Sequence, residues 1–209
     1  MPRQLLYATT NPGKAFEVRR ILESVGIILH TPLELGLMLD VPETGATLEE
    51  NATRKAQAYL KALATGDYVI MADDTGVEID ALNGEPGIHV RRWIGRRMTD
   101  QEIIDYCLAR MAHVPPGQRG AQFRTVIALG VPGGEIELFD GTLRGEILEQ
   151  PDPLRIEGFP FETIFFVPEW DLLLGAVHQL PAAQKAQFVT HRERTITRAL
   201  PRIRQLLES

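Results

Sequence analysis

Tyr68-Val69-Ile70-Met71-Ala72-Asp73-Asp74-Thr75-Gly76 is the stretch whose reading decides the fold. An unbroken apolar run of this length reads as a central strand, buried on both faces, as in α/β sheets. It ends in two adjacent carboxylates, and Thr75-Gly76 then reads as a turn. Val77-Glu78-Ile79-Asp80-Ala81 alternates and continues as another strand before the Asn83-Gly84 turn. Sites in open α/β sheets lie beyond the carboxyl ends of strands. Paired carboxylates there must be hydrated, paired or metal-bound. Neighbouring strand residues face opposite sides. One aspartate therefore faces a reacting centre, while the other holds the loop or reaches a metal by way of the turn. A pair of solvated turn aspartates is the alternative.

Upstream, Leu5-Leu6-Tyr7-Ala8 reads as a short buried strand, broken by Asn11-Pro12-Gly13. From Lys14 the pattern turns helical, with Ala15, Val18, Leu22 and Val25 on one face and Gly26 as the stop. Ile27 to Leu29 is a second strand, and residues 31–46 are a Pro- and Gly-rich loop. Thr47-Leu48-Glu49-Glu50 has the spacing of a capping box. It heads a helix to about Ala64 with Leu48, Ala52, Ala56, Tyr59, Leu60 and Leu63 as its apolar stripe. Downstream, Thr99-Asp100-Gln101-Glu102 is a second capping box, for a helix carrying Ile103, Ile104, Cys107, Leu108 and Met111. Phe123–Val131 and Glu135–Phe139 read as an antiparallel pair around Pro132-Gly133-Gly134. Thr142–Glu149 is a further strand. Residues 150–190 show no clear period. Residues 193–207 form a helix with Ile196, Leu200, Ile203 and Leu207 inward. This order predicts an α/β fold, a mixed β-sheet flanked by helices, in a single domain over residues 1–209 with two lobes and no separable linker.

The chain has 209 residues, 44% hydrophobic and 24% charged, which suits a globular protein and excludes disorder. A net charge of −6 argues against a nucleic-acid binder, for which Arg91-Arg92 and Arg96-Arg97 are the only support. It leaves room for a small anionic substrate, since a few lysines make a local positive site. The single cysteine, Cys107, sits in a helical apolar pattern and reads as core. Met1-Pro2-Arg3-Gln4 leads into too few apolar residues for a signal peptide, and no run approaches the ~18 apolar residues of a membrane span. The expectation is a cytoplasmic protein.

Four groups could carry chemistry. Thr9-Thr10-Asn11-Pro12-Gly13-Lys14 joins a strand to a helix, a geometry that presents backbone N–H groups to an anion, with Lys14 adding a full charge. It lacks the spacing of a Walker A loop, and an ordinary turn with a solvated lysine has the same pattern. Asn51 and Lys55 share one edge of their helix. Glu50 is either the acid of the capping box, reaching back to the Thr47 backbone, or a metal ligand. Asp73 and Asp74 are the third group. The fourth lies late in the chain. Phe159 and Phe161 could stack a base, Glu162 adds an acid, and His191 and Arg192 could bond a base edge. Core packing for the aromatics and a helix N-terminal cluster for His191 are equally open readings.

Taken together these segments resemble the inosine triphosphate pyrophosphatase family, which clears ITP, dITP and XTP. The resemblance rests on Ala8-Thr9-Thr10-Asn11-Pro12-Gly13-Lys14, on residues 47–56 (TLEENATRKA), on Ala72-Asp73-Asp74-Thr75-Gly76-Val77, and on Leu82-Asn83-Gly84-Glu85-Pro86-Gly87-Ile88. It extends through Phe123-Arg124-Thr125-Val126 to His191-Arg192. It implies an elongated two-lobed fold around a long twisted mixed sheet with a central substrate cleft, a homodimer, and Mg²⁺, or Mn²⁺ in its place. By position, Asp74 resembles the general base and metal-site aspartate, and Glu50 an acidic metal ligand, with Asp73 beside them. Lys14 and Lys55 resemble phosphate-binding lysines, and Thr75 a substrate contact. The family pattern Gly-Phe-Gly-Tyr-Asp-Pro is replaced here by Gly158-Phe159-Pro160-Phe161-Glu162-Thr163, and Ser-His-Arg by Thr190-His191-Arg192. An upstream family lysine aligns with Lys185 if one residue is inserted. The implied reaction is hydrolysis of a nucleoside triphosphate to monophosphate and pyrophosphate by water attack on the α-phosphorus. The alternatives are the same chemistry on another triphosphate, because of the altered Phe159–Glu162 loop, and nucleotide binding without turnover.

Overall fold

The computed structural model describes residues 3–64 and 67–209; Met1-Pro2, the start of the segment read as too short for a leader, lies outside them. In chain order the elements are β1 (Gln4–Tyr7), α1 (Pro12–Glu23), β2 (Leu29–His30), α2 (Leu48–Ala62), β3 (Tyr68–Ile79) and β4 (Pro86–Gly87). There follow α3 (Asp100–Arg110), β5 (Gly120–Gly130), β6 (Glu137–Ile147), β7 (Phe165–Val167), β8 (Leu172–Leu173), α4 (Leu174–His178), α5 (Ala182–Lys185) and α6 (His191–Glu208). The sheet has eight strands in the order β2-β1-β3-β5-β6-β7-β8, with β4 paired to β3. It is mixed. β1 lies parallel to both β2 and β3, while β4 is antiparallel to β3, and β7 is antiparallel to β6 and β8. This is the α/β class expected from the sequence.

The decisive stretch forms one strand, not two. β3 runs for twelve residues straight through Asp73-Asp74-Thr75-Gly76, so the turn expected at Thr75-Gly76 is absent. Both aspartates find lateral partners from the flanking elements and have no need to bend toward water. The register explains where those partners come from. Tyr7, the last residue of β1, pairs with Met71. Beyond it the chain leaves the sheet edge and starts α1, which brings the head of that helix beside Asp73. Likewise Glu135–Phe139 and Thr142–Glu149, read as separate strands, are joined through Gly141 into β6.

The chain divides into two compact units: Met1–Thr75, Thr125–Gly141 and His191–Ser209 form the first, Gly76–Arg124 and Thr142–Thr190 the second. In the first, Leu5, Tyr7, Val69 and Met71 pack with Val18 and Leu22 of α1 and with Ile196, Ala199 and Ile203 of α6. The inward stripe of α6 differs from expectation: Ala199 and Leu206 are buried, while Leu200 and Leu207 only flank the core. In the second, Ile103, Ile104 and Cys107 of α3 pack with Phe123, Leu143, Phe161 and Phe165. Cys107 is core as expected, and burial pushes its thiol up to about 12, which leaves it inert as a nucleophile at neutral pH. Among the described residues no helix is long and apolar enough to cross a membrane.

Helix starts follow their caps. Thr99 and Glu102 form the full reciprocal box. Thr47 caps α2 by accepting the Glu50 N–H, but the Glu50 carboxylate bonds the Ala46 N–H at 2.8 Å, not the Thr47 backbone. α1 begins two residues before Lys14, because Asn11 caps it and Pro12 occupies its first turn, where a missing N–H costs nothing.

Gly141 shows how closely β6 approaches α6. A Cβ there would lie 2.6 Å from the His191 carbonyl oxygen and 2.7 Å from the Thr195 nitrogen. Backbone cannot yield as a flexible side chain does. Gly141→Ala is therefore expected to destabilise the protein by about 1–3 kcal/mol in urea denaturation.

Candidate active site

All of the phosphate- and metal-side candidates lie in the first unit, where Asp73 and Asp74 project to opposite faces of β3. Asp73 faces the helices that open at Pro12 and His191. It is 2% exposed. Its Oδ1 accepts the Tyr7 hydroxyl at 2.7 Å, and its Oδ2 accepts Lys14 Nζ at 3.0 Å and Thr75 Oγ1 at 3.2 Å. Arg192 Nε stands 3.7 Å from the same oxygen. Arg192 also pairs with Glu17 and donates to Thr75 Oγ1 at 3.3 Å. Thr75 is linked in turn to Thr125, the two hydroxyl oxygens lying 2.9 Å apart.

Asp74 faces α2. Its Oδ2 accepts the Asn51 side-chain amide at 3.1 Å, and its Oδ1 lies 3.2 Å from Lys55 Nζ. Asn51 is a bridge, because its own oxygen accepts the Gly45 N–H at 2.8 Å. The loop before α2 is thereby tied to the strand. Gly45 suits that approach, since a Cβ would lie 2.7 Å from Asn51 Oδ1. The tie carries Glu43 into the site, and its Oε1 sits 3.1 Å from Lys55 Nζ. Asp74 and Glu43 thus flank one ammonium group.

The two aspartates are pushed in opposite directions. Burial opposes ionisation of Asp73, but the Lys14, Arg192 and Lys55 charges and the Tyr7 hydrogen bond outweigh it and hold the carboxyl well below the usual range. Burial raises Asp74, and Glu43 adds to the rise; Lys55, Lys14 and the Asn51 hydrogen bond offset it only in part. Lys55 remains a cation, since the charges of Asp74, Asp73 and Glu43 overcome its burial and raise it. The Tyr7 phenol is raised well above its ordinary value, by burial first and then by the Asp73 charge. Neighbouring carboxyls driven apart in this way are the pattern that assigns fixed-charge and proton-transfer roles.

The strand-to-helix loop differs from expectation. Its amide donors are engaged internally: Gly13 and Lys14 N–H bond Asn11 Oδ1 at 2.9 and 3.2 Å, and Asn11 N–H bonds Thr9 Oγ1 at 3.2 Å. An anion would have to displace these bonds to use those amides. Thr10 is exposed, and Lys14 stands at the entrance with its Nζ on Asp73. Glu50 is exposed and tied to Ala46. His191 and Arg192 are buried at the start of α6, and Arg192 joins the Asp73 cluster.

The remaining base-side candidates lie in the second unit. Phe161 is a core residue, in edge contact with Phe123 and tilted against Trp93. Glu162 is buried with Oε2 2.9 Å from His178 Nδ1, Phe159 is half-buried, and Lys185 Nζ donates to the Phe188 carbonyl at 2.8 Å. Sequence reasoning missed Tyr7, Glu17 and Glu43. Two of these left a signal. A tyrosine in an apolar strand run needs a partner for its hydroxyl, and Glu17 is one helical turn after Lys14. Glu43 lies in an irregular loop and left none.

The opposed shifts predict separable titrations. In chelator-treated protein, carboxyl-carbon NMR should find Asp74 titrating above the ordinary aspartate value of about 3.9 and Asp73 below it. Because the folded pKa of Asp73 is depressed, its stabilising effect is present above about pH 4 and lost as pH falls toward the folded value. Asp73→Asn should therefore cost stability at neutral pH, and thermal melts should show the gap closing on acidification.

Comparison with known proteins places the chain in a family. Residues 5–202 match the Ham1 family. The dITP/XTP pyrophosphatase of Bacillus subtilis is 35% identical over 208 residues, covering 99% of this chain and 98% of the relative. That of Thermus thermophilus is 42% identical over 167 residues, covering 79% of this chain and 77% of the relative. The solved structure of the Staphylococcus aureus Ham1 protein superposes with a TM-score of 0.77 at 34% identity, covering 97% of this chain and 99% of that one. With its sequence matched almost end to end and its fold shared with a solved member, this chain belongs to the Ham1 family.

Proposed function

We propose that the protein hydrolyses deaminated purine nucleoside triphosphates (dITP, ITP and XTP) to the monophosphate and pyrophosphate. The observation that carries the reading is Asp74, a buried carboxylate with a raised pKa, hydrogen-bonded by Asn51 and paired with Lys55, next in the strand to the Asp73 that holds Lys14. The dITP/XTP pyrophosphatases matched over most of their length support the substrate class.

Water attacks the α-phosphorus and pyrophosphate leaves. Asp74 orients the water through a carboxylate oxygen and accepts its proton, a role for which a raised pKa suits a carboxylate. Asn51 fixes the rotamer of that carboxylate. Lys55 and Lys14 place positive charge where the phosphate oxygens gather negative charge. Asp73 serves as the fixed anion that anchors Lys14 and Arg192, and Thr75 offers its hydroxyl toward substrate.

Mg²⁺, or Mn²⁺ in its place, belongs to the same proposal. Among the described residues no three His, Cys, Asp or Glu gather as a metal site. Mg²⁺ needs only one or two carboxylates, with substrate phosphates and water completing the octahedron. Asp74 and Glu43 meet that requirement, since both carboxylates already flank the Lys55 ammonium at 3.2 and 3.1 Å. Asp73, ringed by cations, and Glu50, tied to Ala46, fit less well. When bound, the ion would supply Lewis-acid neutralisation of the phosphates. A homodimer and a cytoplasmic setting complete the reading; sedimentation velocity tests the first.

A panel of XTP, dITP, ITP, GTP and ATP with Mg²⁺, assayed for pyrophosphate and orthophosphate, tests the function. Pyrophosphate is expected, with kcat/KM for XTP and dITP well above that for GTP and ATP. Orthophosphate as the sole product would refute the reading, and binding without product would point to a nucleotide sensor. Asp74→Asn should lower kcat by about 10²–10⁴-fold, and Lys55→Met should lower kcat/KM by about 10²-fold. Full activity in Asp74→Asn would remove it as the base.

A further inference from the structure

We infer that Tyr7 is a positioning residue for the phosphate-binding lysine Lys14, acting through Asp73; the inference rests on the function proposed above. Tyr7 ends β1 and is fully buried. Its neighbours in the strand, Leu5 and Leu6, are purely apolar. Packing alone would be served equally well by Phe, and burying a hydroxyl without a partner is costly. Among the described residues the hydroxyl has one hydrogen-bond partner, Asp73 Oδ1 at 2.7 Å, a residue 66 positions away in sequence.

That bond divides the carboxylate between two tasks. Oδ1 is held by the phenol, and Oδ2 receives Lys14 Nζ at 3.0 Å and Thr75 Oγ1 at 3.2 Å, with Arg192 Nε at 3.7 Å. An aspartate carboxylate turns easily about its last side-chain bond. Were Oδ1 released, the three groups that crowd Oδ2 could spread over both oxygens, and Lys14 would lose its fixed position. Lys14 needs such an anchor, because its flexible four-carbon stem alone does not place its charge. Its side chain is 17% exposed against 2% for Asp73, so the anchor is interior while the cation reaches the accessible side. The phenol thus clamps the rear of a carboxylate whose front holds the cation.

The test compares wild type, Tyr7→Phe, Lys14→Met and the double variant. Tyr7→Phe keeps the ring and removes only the hydroxyl. If Lys14 positioning is its role, KM for XTP and the Kd of inorganic pyrophosphate measured by calorimetry should each rise roughly tenfold, with kcat changed much less. In the Lys14→Met background the same substitution should have little further effect, which is the mark of two residues acting in series. Unchanged pyrophosphate affinity in Tyr7→Phe, or full additivity with Lys14→Met, would overturn the inference. A purely structural role would lower the urea midpoint without that coupling, and would also overturn it. Should Tyr7→Phe fail to fold, Tyr7→Met supplies an apolar body without the hydroxyl and is read in the same way. Wild-type protein that binds pyrophosphate but releases none from XTP would count against the proposed function alone, since the calorimetric cycle reads Lys14 without turnover.

Discussion

Adjacent residues of a β-strand point to opposite faces, and in β3 two such residues are aspartates in the interior. Each must meet its own solvation demand on its own side of the sheet. On one side the demand is met in excess, by Tyr7, Lys14, Thr75 and Arg192 around Asp73. On the other it is met sparingly, by Asn51 and Lys55 around Asp74. The first carboxyl is thereby held well below its ordinary range and the second is raised above it. Adjacency in the strand, which gives each carboxylate its own hydrogen-bond partners, is what separates the two shifts.

Much of the first unit is arranged around this asymmetry. β1 stops at the level of Met71, so the head of α1 can bring Lys14 to Asp73. α6 begins at His191, and its second residue delivers a buried guanidinium to the same carboxylate. On the opposite face Asn51 ties the loop before α2 to Asp74, and Glu43 of that loop, itself exposed, meets Lys55. The internal capping of α1 by Asn11 engages the Gly13 and Lys14 amides, so the proposed phosphate binding falls to the side-chain cations.

The fold class and the two clusters of residues around Asp73-Asp74 and Asn51-Lys55 were legible because they rest on local rules. Apolar period located β1, α1, α2 and the start of β3, and helical spacing put Asn51 and Lys55 on one edge. What differed depended on the tertiary setting and not on local pattern. Thr75-Gly76 carries turn chemistry, yet stays extended because β3 continues as a strand. Glu50 has the spacing of a capping acid, but the incoming loop offers it Ala46. The approach of Arg192 to Asp73 could not be foreseen, because nothing in its neighbourhood announces a residue 119 positions earlier by their numbers. Glu43 was invisible for the same reason, and Phe161 proved to be core where it had been a candidate for stacking.

In the proposed mechanism Asp74 directs water to the α-phosphorus. Hydrolysis of XTP in water enriched in oxygen-18 tests it most directly, because the label marks the phosphorus that was attacked. One labelled oxygen is expected in the monophosphate and none in the pyrophosphate, with loss of this reaction in Asp74→Asn. Label in the pyrophosphate, or undiminished labelling of the monophosphate by Asp74→Asn, would contradict it.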